Sequence, residues 1–250
     1  MKYFKYLLFS VLFFALLSCE QEQSDALSVA ASDTGTSGSL ARFTIIGDYL
    51  YTIDFTTLKM VDLKNPANPV LANAMTVGQG VETLFSLDGF LLMGTQTGML
   101  IYELADDGTP SFVSAYEHIQ SCDPVVANAE TAYVTLRAGC GGGPADQLDI
   151  ISITDMTNPE LIISYPLDNP HGLGLDGNLL FICDGFAGLK VFDVTDPLNL
   201  QLLTHLDNIF VTDVITLDGL LLVIGPENVY QFSYNSAGQL VKLSEIRIEA

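Results

Sequence analysis

Three stretches decide the architecture: LKMVDLKNPANPV at residues 58–70, LDIISITDMTNPE at 148–160 and LKVFDVTDPLNLQ at 189–201. Each begins with apolar residues that alternate with polar ones and ends in an Asx- and Pro-rich turn. A period of two marks a strand with one face toward a core, and Asp, Asn and Pro punctuate turns. MLIYELADDGTPS at 99–111 and NVYQFSYNSAGQL at 228–240 align with them, so five copies are present. Anchored on Asp62, Glu103, Ser152, Asp193 and Gln231, successive copies lie 41, 49, 41 and 38 residues apart. A fixed spacing of this length marks a repeat architecture.

Upstream of each copy lies a hairpin signature: GDYLYTI from Gly47, DGFLLMG from Asp88, ETAYVTL from Glu130, DGNLLFI from Asp176 and DGLLLVI from Asp218. Downstream lies another extended run, such as LIISYPL from Leu161 or LQLLTHL from Leu200. The repeat therefore holds four strands, A to D, and no helical period competes with it. A four-stranded unit of about 42 residues is a propeller blade. The expected fold is all-β, a five-bladed β-propeller of four-stranded antiparallel blades over residues 40–250. A single blade cannot bury both faces, so neighbours must stack. No swapped closing strand is visible, so ring closure is expected to rest on packing. A β-sandwich and an open solenoid are the rival architectures; regular Asx-Pro turns disfavour both.

The segments VDLKNPANPV, ISITDMTNPE and VFDVTDP resemble the LVIVD repeat of secreted and lipid-anchored bacterial propeller-like proteins. Copies 1, 3 and 4 are the nearest matches; copy 5, with YQFSYNSAG, lacks both the Asp and the Pro. The resemblance implies an extracytoplasmic propeller without an established activity, and it brings no catalytic residues with it.

Composition narrows the function classes. Nine Lys and Arg against thirty Asp and Glu give a formal charge of -21, while 49% of residues are hydrophobic. The apolar share excludes a disordered chain. The acidic balance argues against nucleic acid and against electrostatic docking on anionic lipid. Trp, the commonest sugar-stacking side chain, is absent.

The first residues read as an address. Lys2 and Lys5 precede an apolar run from Tyr6 to Leu17 that is too short for the roughly 20 residues of a membrane span. It reads as a secretory signal over residues 1–18. Leu16-Leu17-Ser18-Cys19 resembles the bacterial lipoprotein box, so Cys19 is the expected lipidation site. Residues 19–39 then form a lipidated Cys plus a flexible tether, rich in Ser, Gly and acids, with a reach of about 25 Å. Acids directly after the cysteine resemble the export signal of surface-displayed lipoproteins. The expected location is the outer membrane, with the cell surface as a further option, and the lipid anchor is the sole membrane contact.

Loops that start the A strands share one face of a propeller with the B-to-C loops, and ligands usually meet that less regular face. Arg42, Glu82, Asp123, His171 and Asp213 are the candidate ring around its entrance, with Arg137 beside them. Three carboxylates from three blades suit acid and base work in glycoside hydrolysis, whereas wet strand ends are polar in any propeller. No residue pair has metal-ligand spacing, and no metal or cofactor is expected. Cys122 and Cys140 lie at matching ends of the blade 3 hairpin, within reach of a disulfide that would stabilise the fold by about 3 kcal/mol. That bridge would hold the Gly141–Gln147 insertion, which accounts for the 49-residue spacing. The expected function is a non-catalytic binding or scaffold module for a protein or envelope component. The alternative is a surface carbohydrate-active hydrolase using Glu82, Asp123 and Asp213.

Overall fold

Asp88-Gly89 and Asp218-Gly219 both take positive φ (42° and 85°, 41° and 80°), the backbone shape that folds two strands into a tight hairpin. Such hairpins, extended by two more strands, build each sheet of the protein. The computed structural model describes residues 38–117, 124–138 and 146–248, all within one unit spanning Asp33–Ala250. Blade 1 comprises β1 (Phe43–Ile46), β2 (Tyr49–Asp54), β3 (Thr57–Asp62) and β4 (Val70–Thr76). Blade 2 comprises β5 (Val81–Leu87), β6 (Phe90–Thr95), β7 (Gly98–Leu104) and β8 (Pro110–Glu117). Blade 3 comprises β9 (Val125–Ala127), β10 (Thr131–Leu136), β11 (Gln147–Ser152) and β12 (Glu160–Pro166). Blade 4 comprises β13 (Leu173–Asp176), β14 (Leu179–Cys183), β15 (Leu189–Asp193) and β16 (Gln201–Leu206). Blade 5 comprises β17 (Asp213–Leu217), β18 (Leu220–Ile224), β19 (Asn228–Tyr234) and β20 (Leu240–Arg247). Every sheet is a meander in chain order, and every pairing is antiparallel. The fold is a five-bladed β-propeller without helices among the described residues.

The C and D strands share one irregularity in all five blades. Strand D carries one extra residue opposite Met60/Val61, Ile101/Tyr102, Ile150/Ile151, Val191/Phe192 and Gln231/Phe232. Such a bulge increases local twist and bends the outer strand. It also corrects the alignment of the fifth copy. The residue that pairs with the first position of strand B is Asp62, Glu103, Ser152 and Asp193 in blades 1–4, and Ser233 in blade 5. Gln231 is therefore two residues out of register, and the step from Asp193 becomes 40 residues, close to the spacing elsewhere.

Packing follows the blade order. Apolar clusters join blade 1 to 2 (Tyr51, Met60, Leu84, Met93), 2 to 3 (Leu92, Ile101, Val134, Ile151), 3 to 4 (Tyr133, Ile150, Leu180, Ile182) and 4 to 5 (Phe181, Val191, Val214, Leu221). The central strands β10 and β14 are buried at every position, because sheets cover both of their faces. In β2 and β18 burial alternates instead, as it does for a sheet with one covered face. Among the described residues no apolar cluster joins blade 5 to blade 1.

The segment that leads into β1 touches several blades: Gly38 packs against Asp213 of blade 5, the Ser39 hydroxyl accepts from the Leu173 amide of blade 4 at 2.7 Å, and the Ala41 carbonyl accepts from the Leu84 amide of blade 2 at 2.9 Å. The expected signal segment 1–18, the expected lipidation site Cys19 and most of the expected tether lie outside the described residues, as do Asp123 and the cysteines at 122 and 140.

Candidate functional site at the irregular face

Strand starts and B-to-C loops come together at one end of the propeller, which places Arg137, His171, Gly185–Ala187, Phe210 and Pro226–Asn228 on the same face. A buried ion pair shapes the centre of this face. Asp184, fully buried, lies 2.5 Å from Lys190 Nζ, which also reaches Asp168 at 2.9 Å. The Asp184 carboxylate accepts further from the backbone amides of Asn169 (2.7 Å) and Asp168 (3.1 Å). Burial works against the charge of Lys190, but its bonds to Asp184 and Asp168 outweigh that and hold its pKa up. One carboxylate thus pins the loop that delivers His171.

His171 is clamped from several sides. Its amide donates to the Cys183 carbonyl at 2.8 Å, and its carbonyl accepts from the Thr135 hydroxyl at 2.6 Å. Nε2 lies 2.7 Å from Asn169 Oδ1, and Nδ1 lies 2.6 Å from Arg137 Nη1. Burial first, and the Arg137 charge second, push its pKa down to about 4, so the ring is neutral at pH 7. The network assigns the proton to Nε2, donating to Asn169, and leaves Nδ1 to accept from the guanidinium. Arg137 of blade 3 and His171 of blade 4 are thus in direct contact.

Of the expected ring, Asp123 lies outside the described residues, and the other members each have their own surroundings. Glu82 accepts from Gln96 Nε2 at 3.0 Å. Arg42 sits over the Phe55 ring, 4.8 Å from its centroid. Asp213 is wedged between Gly38 and Gly172, where any side chain would collide with its carboxyl. Burial raises its pKa to about 6, and its Oδ1 is buried without a hydrogen-bond partner. Among the described residues no group of three or more His, Cys, Asp or Glu is gathered to hold a metal. Cys183 is a free, fully buried thiol whose pKa burial raises.

The most ligand-like feature is one that the candidate ring omits. Phe186 and Phe210 stack with centroids 4.3 Å apart and planes 14° from parallel, and Phe210 meets the His171 ring edge-on at 6.2 Å. Phe186 is 80% exposed, so its outer face is open to solvent. Beside the pair lies a cleft of about 310 Å³ lined by Asn208, Ile209, Pro226, Glu227, Asn228 and Tyr230. The legible signal was Asp184-Gly185-Phe186-Ala187-Gly188, a large apolar residue set in a tight Gly-bounded loop where nothing can cover it.

A propeller with an aromatic cleft at the mouth of its irregular face is the class that fold and site define. Residues 37–77 match the family model of the LVIVD repeat, so blade 1 with its leading segment is an LVIVD repeat. No curated protein matches the chain. A functionally unknown protein from Desulfotomaculum acetoxidans shares the fold (TM-score 0.65, 14% identity, covering 85% of this chain and 68% of that one). A protein from Lactobacillus plantarum is also similar (0.62, 15%, 79% and 67%). So is the periplasmic gluconolactonase of Pseudomonas aeruginosa (0.63, 13%, 81% and 68%). At such identities these likenesses speak to fold alone, and about a third of each of those chains lies outside the match.

Proposed function

We propose that the protein is a non-catalytic binding module of the bacterial envelope, tethered at the outer membrane through a lipid on Cys19, whose irregular face receives an envelope glycan. The carrying observation is the open face of Phe186 beside amide and carboxylate groups. An aromatic face accepts the apolar side of a sugar ring, and Asn208, Asn228 and Glu227 supply donors and acceptors for its hydroxyls. The charge of -21 favours neutral or amino sugars over anionic ones. Neither Glu82 nor Asp213 lines this cleft, which favours binding over carboxylate catalysis.

The test is titration calorimetry of the purified protein against neutral and amino-sugar oligosaccharides. Phe186→Ser should weaken binding about tenfold, the loss of about 1.4 kcal/mol of stacking and burial, with an unchanged circular dichroism spectrum. Binding unaffected by that substitution would reject the cleft. Hydrolysed product that disappears in Glu82→Gln or Asp213→Asn would replace the binding reading with the hydrolase. Labelling with palmitate should be lost in Cys19→Ala; retained label would remove the lipid tether.

A further inference from the structure

Three loops build the cleft beside Phe186, and backbone contacts fix each of them. The Phe186 loop closes on itself, with the Ala187 amide donating to the Asp184 carbonyl at 2.9 Å and the Gly188 amide to the Gly185 carbonyl at 3.1 Å. A β-bridge between Gly185 and Val211 joins it to the segment that carries Phe210. Gly225 opens the third loop with its backbone so near the Phe210 carbonyl that any Cβ there would strike it. The Gly225 amide donates to the Asn228 carbonyl at 2.8 Å, and the Ile248 amide, just past β20, donates to the Glu227 carbonyl at 2.7 Å. Pro226 restricts the same turn further. Glu227 therefore projects from a loop that is tied down on both sides. Walls fixed before a ligand arrives lose little freedom when it binds.

The chemistry of the lining is uneven. Phe186, Phe210, Ile209 and Tyr230 make it apolar, and Glu227 is the one charged side chain among the described residues that line it. Asn228 beside it is already engaged, since its Nδ2 donates to the Tyr230 hydroxyl at 3.1 Å. The face of an aromatic ring is electrically negative at its centre, and a carboxylate is negative outright, so both attract a cation. A neutral hydroxyl gains an ordinary hydrogen bond from Glu227. An ammonium gains a charge-assisted one, roughly twice as strong.

Resting on the glycan reading of this cleft, we propose that Glu227 makes it selective for amino sugars whose nitrogen is unacetylated and carried as an ammonium. The sugar ring lies on the open face of Phe186, and its ammonium donates to the Glu227 carboxylate. N-acetylation removes the charge and leaves the apolar side of the ring unchanged. An acetylated sugar therefore keeps the stacking on Phe186 and loses the charged contact.

The test is calorimetry of the full chain, kept in nonionic detergent, against the glucosamine trisaccharide and its fully N-acetylated form. The free amine should bind the unaltered protein about tenfold tighter. Glu227→Gln should bring the two affinities together by weakening the amine alone. Asp88→Asn removes the same unit of charge from an exposed turn on the opposite face, at a positive φ that Asn adopts readily. It should keep the preference, which separates the cleft carboxylate from the attraction that a charge of -21 exerts on any cation. A preference that survives Glu227→Gln, or that Asp88→Asn abolishes, would overturn the proposal. Equal affinities in the unaltered protein that both fall in Phe186→Ser would overturn the selectivity and leave the glycan cleft standing. Failure of both sugars to bind, or affinities unmoved by Phe186→Ser, would overturn the glycan reading and the selectivity with it.

Discussion

At the residue scale, two groups on the irregular face have shifted pKa values of opposite sense. Asp213 is raised to about 6 by burial, so the folded state holds its proton more tightly than the unfolded chain does. Its ionisation removes stability as pH rises from about 4 to about 6. His171 is lowered to about 4, so the unfolded chain binds the proton that the folded state refuses, and stability rises with pH over about 4 to 6.5. The two slopes have opposite signs over nearly the same window, and the unaltered protein should show little net pH dependence there. Asp213→Asn should be more stable at pH 7 by about 1–2 kcal/mol and should gain stability steadily from pH 4 to 6.5 in urea titrations. His171→Asn should show the reverse slope. Asp184→Ala should cost about 3–5 kcal/mol, because it leaves Lys190 without its buried partner and frees the loop at Asp168 and Asn169. Equal denaturation midpoints for Asp184→Ala and the unaltered protein would contradict that role. His171 was singled out in sequence because it stands where an A strand begins, and Arg137 because it lies beside the blade 3 insertion. Their contact was not, because it depends on loops from blades 3 and 4 meeting.

At the element scale, the strand C to strand D pairing carries the same bulge in every blade. Gly188, at φ 86°, opens β15 with its backbone against the Leu206 carbonyl, where a Cβ would collide. Gly188→Ala should therefore cost about 1–3 kcal/mol or more, read as a lower urea midpoint, with the B-to-C loop carrying Phe186 shifted as a consequence. The hairpin turns and the alternation within strands were readable because they are local. The register of the fifth blade was not: YQFSYNSAG offers neither Asp nor Pro as an anchor, and only the shared bulge shows that Ser233, not Gln231, occupies the equivalent place. A bulge is a relation between two strands, so one strand's sequence does not display it.

At the scale of the whole molecule, charge and topology pull in different directions. A net charge of -21 makes the folded state repel itself, so the melting temperature should rise as sodium chloride is increased from about 10 to 150 mM, where the screening length shortens to roughly 8 Å. A melting temperature that falls over this range would mean that the ion pairs around Lys190 outweigh the repulsion. Topology acts the other way, by stacking each blade on its neighbour through an apolar cluster.

The blade count, the four-strand repeat and the face that collects the irregular loops were all written in the chain. They arise from alternation, turn chemistry and spacing, which act over a few residues or repeat at a fixed interval. The glycine-clamped Asp213 and the stacked Phe186–Phe210 pair came only with the tertiary structure. Each depends on how close residues far apart in sequence approach one another, and no local pattern encodes that distance.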